Sequence, residues 1–115
     1  MQLAELTWDA TPTDPAAILL PVGSTEQHGP HAPLGTDTLT AGDVARRTAD
    51  RTDHELVIAP SIPVGVAAEH RHSRGSLSVP ADPFQAYTGA GVEALVSHGG
   101  RRVFLIHGPG VNSAI

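Results

Sequence analysis

Three short apolar runs set the limits on how this chain can fold. Residues 16–22 carry Ile18, Leu19 and Leu20 between Pro15 and Gly23, and residues 56–60 and 101–106 repeat the pattern. Runs that stay apolar on consecutive positions suit strands buried on both faces. Pro21 fits only near the end of its run, where a ladder donor can be spared. The stretches between the runs are far too long for hairpin turns and read as helices, so the strands pair in parallel through right-handed crossovers. The expected fold class is therefore α/β with a mostly parallel sheet. Ligand sites in such sheets form beyond the carboxyl ends of the strands, and each run here is followed by a loop that carries histidine.

Residues 38–50 set Leu39, Val44, Ala45 and Ala49 among Asp43, Arg46 and Arg47, an amphipathic helix pattern with Thr36 or Asp37 as its cap. In the second connection Asp82 reads as a cap and Pro83 as the first helical residue. Phe84, Tyr87, Val92, Leu95 and Val96 then recur at helical spacing toward His98, and Gly99 and Gly100 stop the helix. Gly89 and Gly91 inside it each cost up to about 1 kcal/mol against alanine, which predicts a soft helix. His98 is placed as a favourable charge at the negative end of the helix dipole, and His54 as a solvated linker residue. Residues 1–15, with Leu3, Leu6 and Trp8, form a turn-rich lead-in to which no function is assigned.

At 115 residues there is room for one small domain or part of one. Seven Arg, no Lys and a formal charge of -5 leave no basic stripe for a nucleic-acid partner. Without cysteine, any metal must be held by oxygen and nitrogen. No apolar run approaches the roughly 20 residues of a membrane span, and the acidic N-terminal segment does not read as a signal peptide. The expected location is cytoplasmic, with no membrane partner.

The chemistry concentrates after the first run. Glu26, His28, His31 and Asp37 follow Gly23 closely, in a loop rich in glycine and proline. Carboxylate and imidazole together are the donors that divalent ions of the zinc, manganese and iron range accept. Glu26 and His28 alternate with Gln27, so an extended backbone projects both to one side. Asp37, near a helix start, has a second reading as a simple cap, and the histidines have one as solvated loop residues. No Gly-x-Gly-x-x-Gly follows the first run, which sets aside a nucleotide-binding doubly wound domain.

Residues 21–37 read Pro21-Val22-Gly23-Ser24-Thr25-Glu26-Gln27-His28-Gly29-Pro30-His31-Ala32-Pro33-Leu34-Gly35-Thr36-Asp37. This resembles the opening motif of the creatininase (creatinine amidohydrolase) family, Pro-x-Gly-Ser-x-Glu-Gln-His-Gly-x-His-x-Pro-x-x-x-Asp, with every candidate ligand in register. The resemblance implies a three-layer creatininase-like fold and a binuclear centre in which Glu26 and His28 each contact one metal and Asp37 bridges both. It implies two divalent ions per site, zinc first, with manganese or iron as alternatives. The implied reaction is metal-assisted hydrolysis of amide or cyclic amide C–N bonds in a small molecule, carried out by a homo-oligomer.

Two later stretches depart from the family. Its members carry Glu-His followed after two residues by Phe-Pro-Gly-Thr, whereas Glu69-His70-Arg71-His72 is followed here by Ser73-Arg74-Gly75-Ser76. By the likeness Glu69 and His70 are the catalytic candidates and His72 a further pocket residue; otherwise all three are loop surface. Ser73 and Arg74 in place of Phe-Pro would loosen that loop. After the third run the family reads Asn-Gly-His-Gly-Gly-Asn, and this chain has His107-Gly108-Pro109-Gly110-Val111-Asn112. Pro109 stands where the ligand histidine should be and cannot coordinate, while His107 either reaches the metal from two positions earlier or simply ends the strand. Asn112 reads as a further helix cap. Family members run considerably longer, so residues 1–115 are expected to be the N-terminal portion of one creatininase-like domain, truncated after the third strand. Two functions stay open: a metal-dependent amidohydrolase, or a truncated, non-catalytic remnant that serves as a metal-binding or interaction module.

Overall fold

The computed structural model describes residues 1–107, so Pro109 and the cap expected at Asn112 lie outside the described residues. Strand β1 (Ala17–Val22) occupies the middle of a parallel sheet, between β2 (Leu56–Ile58) and β3 (Val103–His107). Leu19 pairs with Ile58 on one side and with Phe104 on the other. Helix α1 (Thr36–Asp50) connects β1 to β2, and α2 (Ala81–Ser97) connects β2 to β3. Every residue of β1 is buried, as an apolar run at the centre of a covered sheet requires.

The period-two alternation of β1 divides its side chains between two cores. Ile18, Leu20 and Val22 pack with Phe84, Val92 and Leu95 of α2, while Leu19 packs with Ala45 and Ala49 of α1 and with Ile58. The layers are thus helix, sheet, helix. Phe84 is among the largest fully buried side chains, and burying a ring of this kind stabilises by about 1.5–3 kcal/mol.

Both helices start earlier than the sequence pattern predicts. Gly35 is the cap of α1, so Thr36 and Asp37 lie within its first turn, and Thr36 Oγ1 donates to the Pro33 carbonyl at 2.5 Å. Asp37 still sits where backbone N–H groups lack intrahelical partners and the dipole favours a negative charge. For α2 the cap is Pro80, with φ -61° and ψ 157°, and the Phe84 N–H donates to the Pro80 carbonyl at 3.2 Å. Asp82 and Pro83 therefore fall inside the first turn. Proline is tolerated there because no intrahelical bond is expected of its nitrogen.

The N-terminal segment does more than lead in. Gln2 forms a parallel bridge with Ile58, whose N–H donates to the Met1 carbonyl at 2.8 Å, so the segment covers part of the outer edge of β2. Trp8, in contrast, is 90% exposed. Among the described residues no helix is long and apolar enough to cross a membrane.

At the carboxyl end of β1 the pairing continues into the segment after β2. The Ile62 N–H donates to the Pro21 carbonyl at 3.0 Å and the Gly23 N–H to the Ile62 carbonyl at 2.8 Å. This brings the loop after β1 and the loop after β2 to one rim. Gly23 also lies directly against the first turn of α1, where a Cβ would stand 2.7 Å from Thr38 Cβ and closer still to the Thr38 backbone. The helix can approach the strand end only because that atom is absent. Gly23→Ala is expected to destabilise by about 1–3 kcal/mol through overpacking, read as a lower denaturant midpoint, and to displace the turn that holds Asp37.

Candidate metal centre

The loop that leaves β1 is pinned at several points. The Glu26 N–H donates to the Leu34 carbonyl at 2.9 Å, closing the loop on itself. Thr25 pairs in an antiparallel bridge with Leu77, and its hydroxyl donates to the Pro63 carbonyl at 2.7 Å. Extended backbone held this way sends alternate side chains to opposite sides. Gln27 turns toward the loop after β2, and Glu26 and His28 turn toward α1.

One ligand atom each from Glu26, His28 and Asp37 lies within 4.8 Å of the others. His28 Nε2 stands 3.4 Å from Asp37 Oδ1. The other ring nitrogen, Nδ1, is 3.1 Å from the Glu26 carbonyl oxygen. A carbonyl only accepts, so Nδ1 carries the hydrogen, and in the neutral ring Nε2 presents its lone pair toward Asp37. Asp37 Oδ2 accepts the Ser24 hydroxyl at 2.7 Å, and the Thr38 hydroxyl donates to the Ser24 carbonyl at 3.0 Å. Ser24, 3% exposed, thus fixes the Asp37 carboxylate and couples the strand end to the helix start.

Glu26 and Asp37 are 5% and 7% exposed. Two carboxylates buried side by side repel, and among the described residues Glu26 Oε2 is buried with no hydrogen-bond partner. Ser24 and the nearby His70 favour the ionised Glu26 carboxyl, but Oε2 itself keeps no hydrogen-bond partner, and such an atom is costly to bury. A divalent cation seated among the three groups would offset both the repulsion and the missing partner, so the donor set fits a metal.

The electrostatics point the same way. The Glu26 carboxyl is pushed above its ordinary value of 4.5, first by burial and then by the hydrogen-bonded, charged Asp37 carboxyl. His28 is raised above 6.5, first by its bond to the Glu26 carbonyl and further by the charges of Asp37 and Glu26, against the opposing effect of burial. Without metal, the cluster therefore retains protons that a cation would displace.

The sequence candidates divide clearly. Glu26, His28 and Asp37 converge, whereas His31 remains outside the group and exposed. Glu69 and His70 share the short turn Ala68–His70, where Glu69 is exposed and His70 is half-buried. Gln27 links His70 to the ligand loop through Nε2 and His70 Nδ1, 3.1 Å apart. His72 is exposed. The Ser73–Arg74 turn is closed by the Ser73 N–H to the His70 carbonyl and the Ser76 N–H to the Ser73 carbonyl, each 3.0 Å. His107 is paired opposite Val22, at the same rim as the ligand loop. Ser24, Thr38 and Gln27 were not among the candidates. Only the alternation that sends Glu26 and His28 one way gave any sign, by sending Gln27 the other.

The creatininase family model, described as creatinine amidohydrolase, matches residues 4–115. The chain belongs to the creatininase family. Its similarity to a mycofactocin precursor peptide peptidase of Mycobacterium tuberculosis is 38% identity over 86 residues, 68% of this chain and 34% of that protein. The creatininase fold is shared with a solved manganese creatininase at a TM-score of 0.85 and 28% identity, covering 97% of this chain and 46% of the other. A mutant creatininase of Zn–Zn type gives 0.77 at 27% identity, with coverages of 90% and 43%. This creatininase-family chain therefore spans between a third and a half of the length of these proteins.

The raised values fix how the metal-free protein responds to pH. Glu26 and His28 each bind protons more tightly folded than unfolded, so their stabilising contribution is complete below the ordinary values of 4.5 and 6.5 and is lost as pH climbs through the raised ones. In thermal melts of metal-free protein, the wild type is expected to lose stability relative to Glu26→Gln as pH rises from 4.5.

Proposed function

We propose that Glu26, His28 and Asp37 hold divalent metal, and that the chain contributes this metal platform to an amidohydrolase acting on C–N bonds of an amide substrate. The observation that carries the reading is the convergence of one imidazole and two carboxylates on one point, with Glu26 Oε2 buried and unpartnered. The family description and the peptidase relative both concern cleavage at amide-type bonds. The manganese and Zn–Zn forms of similar creatininases support a two-ion centre of that chemistry.

When bound, divalent ions there supply Lewis acidity toward the scissile carbonyl and make a nucleophilic water available near neutral pH. The chain's own residues set the frame. His28 offers Nε2 because its Nδ1–H is committed to the Glu26 carbonyl. Ser24 holds Asp37 Oδ2 while Oδ1 faces His28, so Asp37 and His28 would hold an ion there together. Across the rim, His70 and the exposed Glu69 are the candidates to contact substrate, with His70 the better positioned.

Elemental analysis of purified protein, combined with an assay on cyclic amides and short peptide amides, tests the proposal. Two tightly held ions per chain with turnover are expected. Glu26→Gln and Asp37→Asn are each expected to release metal and reduce turnover by at least about 100-fold, in line with the loss of a principal electrostatic group. Bound metal with no turnover on any amide would favour the metal-binding module, and absence of both would contradict the proposal. The homo-oligomer belongs to the same reading. β3 is an edge strand of the three-stranded sheet and carries Phe104, 55% exposed. Size exclusion is expected to show an oligomer, and a stable monomer would contradict it.

A further inference from the structure

Gln27 is the residue of the ligand loop that the metal set leaves unused, and its hydrogen bonds fix more than its own position. Its backbone N–H donates to Ser76 Oγ at 2.9 Å, anchoring it to the loop after β2. Its side-chain Oε1 accepts the Gly29 N–H at 2.9 Å. A backbone N–H can only donate, so the amide end facing Gly29 is the oxygen, and the end facing His70 is the NH2 group. That group also only donates. His70 Nδ1, at 3.1 Å, must therefore be the acceptor, and in the neutral ring the hydrogen sits on Nε2.

The two histidines of the rim are thus set in opposite senses by one short stretch of chain. A backbone carbonyl puts the His28 hydrogen on Nδ1 and leaves Nε2 free for a metal. Gln27 puts the His70 hydrogen on Nε2 and leaves a donor. Among the described residues no hydrogen-bond partner meets His70 Nε2, and the ring is half-exposed at the rim.

We propose that Gln27 is a positioning residue that leaves the His70 hydrogen on Nε2, facing the rim as a hydrogen-bond donor for the carbonyl oxygen of an amide ligand. The donor role rests on the amidohydrolase reading, while the placement of the hydrogen does not depend on it. A preset donor of this kind stabilises charge that develops on a carbonyl oxygen without reorganising at that moment.

Long-range 15N–1H spectra of the full chain, histidine-labelled and loaded with zinc, at a pH about one unit above the ordinary imidazole value, test the proposal. In the wild type, His70 is expected to show an unprotonated Nδ1 and a protonated Nε2. Gln27→Glu preserves size and the contact to Gly29 but replaces the donor with an acceptor, so the His70 hydrogen is expected to move to Nδ1. Acetamide, a minimal amide carbonyl, is expected to shift the His70 Nε2–H signal in the wild type and not in Gln27→Glu. A wild-type His70 protonated on Nδ1, or a pattern unchanged by Gln27→Glu, overturns the positioning role. A His70 signal that stays still with acetamide overturns the donor role. Repeating the wild-type and Gln27→Glu spectra on metal-free protein separates this from the metal reading: loss of the zinc site leaves the His70 pattern in place.

Discussion

Two buried carboxylates with oxygens within 4.8 Å of each other are an arrangement that proteins do not keep without compensation. Glu26 and Asp37 are in that position, and the rest of this molecule can be understood as what holds them there. Burial of Glu26 follows from the loop closing on Leu34, and burial of Asp37 follows from α1 starting at Thr36 against the end of β1. Gly23 allows the two elements to meet. Ser24 supplies one donor to Asp37, which removes part of the cost, and the unpartnered oxygen of Glu26 marks what is left for a cation.

The scaffold supports that local tension from a distance. β1 is buried on both faces, with α2 and Phe84 on one side and α1 on the other. Every residue of this central strand is buried, Glu26 follows its end closely, and Asp37 is joined to it through Ser24. The adjoining loop after β2 is held by separate bonds, from Thr25 to Pro63 and from Gln27 to Ser76. The ligand loop is therefore braced from two directions, through α1 and through the turn that carries His70. Rigid support of this sort is what lets three side chains keep a common focus.

Much of this could be read from the residues. The consecutive apolar positions of β1 announced a doubly covered strand, and the long connections required parallel pairing, which the β2-β1-β3 order shows. The alternation of Glu26 with His28 foretold that they share a side. Helix starts were harder, because Gly35 and Pro80 serve as caps through backbone conformation alone and neither makes a side-chain capping bond. The Ser24 contact with Asp37 joins residues 13 apart across a loop, a separation that no helical or strand period encodes. The pairing of Gln2 with Ile58 was equally hidden, since it depends on which edge of the sheet is left open. The placement of the His70 hydrogen emerges only when donors and acceptors are followed from Gly29 through Gln27.

Membership of the creatininase family gives this geometry a context, and the chain spans less than half the length of these relatives. The central claim concerns the three side chains this chain does hold. It is tested most directly by anomalous diffraction at the zinc edge from crystals of the protein grown with zinc. The account predicts zinc peaks among these three side chains, one about 2.0–2.2 Å from His28 Nε2 and one at that distance from a Glu26 carboxylate oxygen, with Asp37 oxygens in reach of both. A zinc ion bound elsewhere, or bound to His28 through Nδ1 with the two carboxylates turned away, would contradict it.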